Sequence, residues 1–271
     1  MGDESKRGQD HIVVEHLEKR FGDTVVLNDI SVNMRRGDVT VIIGGSGAGK
    51  TTLLKILIGL DRPTAGSISI DGLDIVKLSE RELDRVRRRF GMVFQYSALL
   101  DSMNVLENVA FPLREHTKLK EREIRDRVRD KLAVLGLENT QRRYPSELSG
   151  GMRKRVALAR ALMLDPEAIL YDEPTSGLDP ITSRKVDDLI LETRQRFGVT
   201  SIVISHDMAG ALRMADHIVL LSQGKIAASG QPRELVGEGG DLLREFIESS
   251  GIAAERLLSE RESMAGQLPK G

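Results

Sequence analysis

The chain has 271 residues, of which 40% are apolar and 30% charged, the balance of a folded globular protein. Its 40 basic and 41 acidic residues leave a formal charge of −1, and aromatics make up only 3%, so neither charge nor base stacking supports nucleic-acid binding. No cysteine is present, which excludes disulfides, thiolate metal sites and cysteine nucleophiles.

The chain opens with β-type runs at residues 12–17, 30–34 and 39–43, punctuated by Gly22-Asp23 and Arg36-Gly37-Asp38. A glycine-rich loop follows, then an apolar segment, 51–60, that reads as a buried helix. Residues 67–72 return to strand. Ser79 can cap a helix running to about Arg89, with Glu82 completing a capping box. Residues 91–94 are a short buried strand. From about Ser97 to Leu164 no strand pattern occurs. Helices are expected at 105–110, at 121–135 and at 149–164, the middle one with a narrow apolar stripe of Val128, Leu132 and Leu135.

Strand and helix then alternate: strand 168–174, helix 181–197, strand 201–205, helix 207–215. A closing hairpin, 217–221 with 225–229, turns at Gln223-Gly224. Such alternation calls for a largely parallel sheet. We therefore expect one domain over residues 1–240, its core 11–95 and 165–240 interrupted by a helical lobe, 96–164. Residues 232–249 read as helix, and 241–271 as a helical extension with a polar, partly ordered end. The longest apolar runs, 39–43 and 218–221, fall far short of the roughly 20 residues of a membrane-spanning helix. Residues 1–10 lack the apolar core of a secretory signal. Membrane association would run through a partner or a surface helix.

Three segments carry chemistry. Gly44-Gly45-Ser46-Gly47-Ala48-Gly49-Lys50-Thr51 fits the phosphate-binding pattern G-x-x-x-x-G-K-[ST], with a strand before it and a helix after it, beginning with Thr51 and Thr52. Its glycines let backbone N–H groups turn inward around phosphate oxygens, and the helix N-terminus adds a favourable dipole. Lys50 would bridge the outer phosphates and the Thr51 hydroxyl would hold Mg²⁺. Asp172 and Glu173 end an apolar strand. There Asp172 suits a place beside Mg²⁺, and Glu173 can polarise an attacking water. Leu148-Ser149-Gly150-Gly151 opens a helix whose capped, glycine-lined start admits an anion.

Phosphate loop, then LSGG, then the Asp-Glu pair, in this order, resemble the ATP-binding cassette of ABC transporters over residues 12 to about 240. The resemblance implies an α/β P-loop NTPase (RecA-like) core, an N-terminal antiparallel β subdomain and an inserted helical subdomain. It implies ATP and Mg²⁺ as ligands and a homodimer in which Ser149, Gly150 and Gly151 face the nucleotide held by Lys50 of the other subunit. Gln95 matches the glutamine that touches Mg²⁺ and couples to the membrane subunit. Asp179, in Ser176-Gly177-Leu178-Asp179, matches the residue that reaches across the dimer, although a plain helix-entry turn before Pro180 is the alternative. His206 matches the switch histidine at the γ-phosphate. Phe21 matches the adenine-stacking aromatic, with a buried core position as its alternative. Two departures stand out: Met152 where the signature usually continues with Gln, and Phe21 where Tyr is frequent.

Within the segment Met103 to Thr117, the run Asn108 to Thr117, together with Asp179-Pro180-Ile181-Thr182, resembles the ATPase subunit of Mla/Mce-type bacterial phospholipid transporters. That implies a peripheral subunit on the cytoplasmic face of the inner membrane. Its partners would be an integral permease, an Mce-domain lipid-binding protein and, as in some relatives, a STAS-domain protein. Arg85, Arg87, Arg88 and Arg89 suit lipid headgroups or an acidic partner loop, or simply a solvated helix face. The tail from Leu242 either wraps the neighbouring cassette or frays. Competing readings are a cassette for an amino acid or lipoprotein and a nucleotide-gated clamp on DNA or ribosomes. The clamp expects two cassettes or a long coiled coil. A non-hydrolysing scaffold would lack Glu173 or His206, and both are present.

Overall fold

The computed structural model describes residues 8–238. The helix expected through 239–249 and the tail from Leu242 lie outside the described residues. The chain forms two sheets. The first is antiparallel, ordered β2-β1-β4-β5, from β1 (Asp10–Phe21), β2 (Thr24–Arg35), β4 (Ala65–Ile70) and β5 (Leu73–Asp74). The second is ordered β10-β9-β3-β8-β7-β6. It uses β3 (Val39–Ile43), β6 (Phe90–Val93), β7 (Ala168–Asp172), β8 (Thr200–Ser205), β9 (His217–Ser222) and β10 (Lys225–Gly230). All its pairings are parallel except that of β9 with the edge strand β10.

Alternation along the parallel strands explains how the layers pack. Val39, Val41, Ile43, Ile169, Tyr171, Val203, Ile218 and Leu220 point to one face, against the helices. Ile42, Leu170, Ile202, Ile204, Val219 and Leu221 point to the other, against the antiparallel sheet and α1 (Lys50–Leu57). Strands buried on both faces read as continuous apolar runs, which is why these segments were legible. On the first face lie α3 (Val105–His116), α4 (Glu121–Val134), α5 (Gly150–Ala161) and α6 (Pro180–Phe197); α2 (Glu80–Arg87), α7 (Met208–Met214) and α8 (Pro232–Glu238) complete the chain. The capping box is present: Glu82 Oε2 accepts from both the amide and the hydroxyl of Ser79, at 2.9 and 2.6 Å. Gln223 and Gly224 both take positive φ, as a two-residue type I′ hairpin requires.

Several expected bounds move. The opening strands reach 12 residues each, because they pair along their whole length across register shifts that short apolar runs do not announce. The helix after the phosphate loop ends at Leu57, not residue 60. The helix expected to stop at Ala110 continues through Pro112 to His116. Proline removes one helical hydrogen bond, yet Val109, Ala110 and Leu113 share a fully buried face that outweighs it. The two-residue β5 has no sequence signal of its own.

At the start of the parallel strands an ion network ties the two sheets together. Arg36 donates to Asp71 at 2.5 Å and to Glu167 at 3.1 Å; Arg89 makes a bidentate pair with Glu167, at 2.6 and 2.9 Å, and also contacts Asp71. Beneath them His11 is buried, its Nδ1 2.7 Å from the Thr200 hydroxyl. Burial, reinforced by the Arg36 charge, pushes the His11 pKa down to about 4. The folded chain therefore binds fewer protons than the unfolded chain between about pH 6.5 and 4, and stability is lost as pH falls through that window. His11 alone should cost about 1.4 kcal/mol between pH 7.5 and 5.5. Urea unfolding at the two pH values checks this. His11→Asn should flatten the dependence, and an unchanged slope in the variant would contradict the assignment.

Candidate active site

The phosphate loop joins the buried end of β3 to the first turn of α1. Gly44 packs so closely on β9 that a Cβ there would sit 2.2 Å from the Leu221 carbonyl oxygen. Gly49 has φ +102, and a Cβ would meet Leu27 Cδ2 at 2.7 Å and the Val26 carbonyl at 3.0 Å. Both glycines are thus set by backbone approach as well as by turn geometry. Gly45, Ser46 and Gly47 form the exposed rim. Helix α1 starts with no side-chain cap and no acid in its first turn, so its leading N–H groups face the loop. That is the donor set a phosphate needs. Lys50 folds back over the loop, its Nζ donating to the Gly44 and Gly45 carbonyls at 2.7 and 3.0 Å. Ala48 is buried, Thr51 is exposed and Thr52 is half-buried behind it.

Two neighbouring strands deliver the remaining groups. Asp172 ends β7 in register with Ile204 of β8, and His206 follows β8. Glu173 has a left-handed backbone, φ +46, while its amide donates to the Ile204 carbonyl at 2.9 Å. Non-glycine residues adopt that conformation at a cost, typically where function holds them there. Its carboxylate lies between two cations or potential cations: Oε1 is 3.8 Å from Lys50 Nζ and Oε2 is 2.7 Å from His206 Nδ1. Burial and then the Glu173 charge push the Asp172 carboxyl up, while Lys50 and Lys55 oppose this. A divalent cation there would offset that mutual repulsion, so the donor set of Thr51 hydroxyl and Asp172 carboxylate fits Mg²⁺.

Other predicted positions lie further along the chain. Gln95, just beyond β6, donates from Nε2 to the Ser176 hydroxyl at 3.0 Å. Ser149 caps α5, accepting from the Met152 amide at 3.3 Å, and Ser149 and Gly150 are exposed. Met152, the departure from the usual Gln, packs partly buried against the main core. Asp179 caps α6, accepting from the Ile181 and Thr182 amides at 3.0 and 3.1 Å and from the Thr182 hydroxyl at 2.6 Å. Phe21 is no core residue: it is 53% exposed at the end of β1, with the Lys19 ammonium 4.7 Å from its ring centre. Sequence reasoning missed Lys154, buried, and Arg160, half-buried, two cations of α5 that hold the carbonyls of Gln95, Ser97 and Ala98. The helix carries four basic residues, Arg153, Lys154, Arg155 and Arg160, and nothing in the sequence singles out these two.

Residues 27–176 match the ABC transporter family model, and the chain belongs to that family. It is 44% identical over 228 residues to the intermembrane phospholipid transport system ATP-binding protein MlaF of Haemophilus influenzae, covering 84% of this chain and 86% of the relative. The Escherichia coli MlaF is 44% identical over 232 residues, 86% of each chain. A "probable ribonucleotide transport ATP-binding protein", mkl of Mycobacterium tuberculosis, is 42% identical over 251 residues, 93% of this chain and 70% of the relative. Among solved structures, cbiO1 of Clostridium perfringens, part of the ABC transporter complex cbiONQ, has a TM-score of 0.79 at 32% identity, covering 94% of this chain and 100% of that one. The ATP-binding cassette MJ0796, dimeric and bound to ADP and Pi, has a TM-score of 0.72 at 33% identity, covering 81% and 98%. The chain is an ABC ATPase with the P-loop cassette fold.

The loop geometry makes a sharp contrast between neighbouring glycines. Gly44→Ala should lower stability by about 2 kcal/mol or more, because the new methyl group collides with backbone. Gly45→Ala, with nothing within 4 Å of its Cβ, should unfold like the parent. Parallel thermal melts decide it; equal melting of the two variants would contradict the packing described.

Proposed function

We propose that this chain is the ATP-hydrolysing subunit of a bacterial phospholipid transporter of the Mla/Mce type. The observation that carries the hydrolytic half is the Glu173 carboxylate poised between Lys50 and His206 at the mouth of the phosphate loop. The lipid half is supported by 44% identity to MlaF over most of both chains.

In this reading the loop from Gly44 to Lys50 and Thr51-Thr52 cradles the phosphates of ATP, and Phe21 stacks on the adenine. Thr51, Gln95 and Asp172 would hold Mg²⁺, which supplies charge neutralisation at the outer phosphates. Lys50 leaves the loop carbonyls for phosphate oxygens and so weakens its hold on Glu173. Glu173 then orients a water and takes its proton at a carboxylate oxygen, while His206 donates toward the γ-phosphate. The site needs two copies of the chain: Ser149, Gly150 and Gly151 of one cap the nucleotide held by Lys50 of the other, with Asp179 at the same seam. The unit is a single cassette over residues 1–240, with core 11–95 and 165–240 and lobe 96–164, followed by the extension 241–271.

No helix among the described residues is long and apolar enough to cross a membrane. The cassette works peripherally, on the cytoplasmic face of the inner membrane, beneath an integral permease. An Mce-domain lipid-binding protein and a STAS-domain protein complete the assembly.

Glu173→Gln in the assembled complex should lower ATP turnover by about 100-fold or more while ATP still binds. Normal turnover would remove Glu173 from the mechanism. A tagged pull-down from detergent-solubilised membranes, with mass spectrometry of proteins and lipids, tests the substrate. Recovery of a multi-span permease, an Mce-domain protein and phospholipid is expected. A different permease with a soluble binding protein, or one that carries ribonucleotides, would overturn the lipid and leave the ATPase.

A further inference from the structure

Helix α5 carries one buried cation, Lys154, and one half-buried cation, Arg160, neither with a carboxylate partner among the described residues. Lys154 is 8% exposed, and its ammonium donates to a single acceptor, the Gln95 carbonyl, at 2.5 Å. Arg160, nearly two turns on, donates to the Ala98 and Ser97 carbonyls at 2.7 and 3.0 Å. Between them the segment after Gln95 bends hard: Ser97 and Ala98 both have left-handed backbones, φ 65 and 44. Three carbonyls of one short loop are thereby drawn onto one helix. Burial alone pushes the Lys154 ammonium toward losing its proton.

Such an arrangement is a poor device for stability. Desolvating an ammonium outweighs one hydrogen bond to a neutral carbonyl, and an apolar side chain of the same length fits such a place at no loss. Two consecutive strained residues add to the burden. The geometry has a different consequence. The Gln95 carbonyl is fixed to α5, and its side-chain amide is aimed at Ser176, in the segment between Glu173 and Asp179. Helix α5 is the one that opens with Ser149-Gly150-Gly151.

We propose that Lys154 and Arg160 form a clasp that makes Gln95 travel with the LSGG-bearing helix, Lys154 being the positioning residue for the Gln95 amide. The proposal rests on the reading of Gln95 as a nucleotide-site residue. Movement of α5 is then felt at Gln95 directly, through a side chain, and not only through the connecting backbone. The clasp also touches the groove between α2, α3 and α5, since Arg160, Ala98 and Leu100 line it together with Phe111 and Pro112. Whatever presses on that groove pulls on the same loop.

The test is a double-mutant cycle on the complete transporter, reconstituted in phospholipid vesicles, with ATPase kcat and KM and the melting temperature of each cassette variant. Lys154→Met should lower kcat about tenfold with KM for ATP within twofold, because the group is misplaced and not removed. Its melting temperature should hold or rise. Lys154→Arg should restore most of the rate. In a Gln95→Ala background Lys154→Met should change nothing further, since the two act as one unit. A normal kcat for Lys154→Met beside an impaired Gln95→Ala would overturn the clasp alone. The same holds if Lys154→Met costs as much with Gln95 absent as with it present, or if rate and melting temperature fall together. A wild-type rate for Gln95→Ala would sink the reading of Gln95 itself and the clasp with it.

Discussion

Strands β3, β8 and β7 lie side by side and parallel, so their ends open on the same edge of the sheet. Ile43 is in register with Ser205, and Asp172 with Ile204. The residues that follow are the phosphate loop, His206 and Glu173. Every contact of the candidate site depends on that strand order, because ligands in open α/β sheets bind at the carboxyl ends of parallel strands. Lys50, Glu173 and His206 are far apart in sequence, yet one carboxylate reaches both of the others. The apolar faces of the same three strands hold the order in place, one against the helices and one against the antiparallel sheet.

The same edge carries the strain. Glu173 holds a left-handed backbone in the turn after β7, fixed by a hydrogen bond from its own amide to β8. Asp172 beside it sits where burial and its neighbour's charge both disfavour ionisation. An acidic corner of this kind is a burden in an empty protein and becomes favourable when cations approach it. Stability comes from elsewhere: two apolar clusters, and the arginine-carboxylate network at the opposite ends of the strands.

How much of this could be read beforehand follows from the range of each interaction. The phosphate loop was legible because eight contiguous residues and both flanking elements agree. Doubly buried strands were legible as unbroken apolar runs, and the Ser79-Glu82 box and the Gln223-Gly224 turn are local chemistry. The roles proposed for Gln95, Asp179, His206 and Phe21 rest only on the family pattern, since a lone Gln or His after a strand says nothing by itself. The bounds of β1 and β2, the strand β5 and the helical turn beyond Ala110 were hidden because cross-strand pairing and a buried face decide them. Lys154 with Gln95, and His11 with Thr200, were invisible for the same reason: each joins residues separated by 59 or more positions.

A consequence for assembly follows from the chain's own layout. Ser149 is turned to its helix cap and Asp179 to another, while Lys50 waits over the loop carbonyls. In the function proposed above, two such surfaces make two complete sites when the chain pairs with itself. Subunit mixing tests this most directly. Lys50→Ala and Ser149→Arg chains, each inactive alone, are combined in one transporter population and ATP turnover is measured. Sites shared between subunits predict recovery, since each mixed pair then holds one intact site with Lys50 from one chain and Ser149 from the other. A mixture no more active than its two components would contradict the account, because a site built within one chain cannot be repaired by its neighbour.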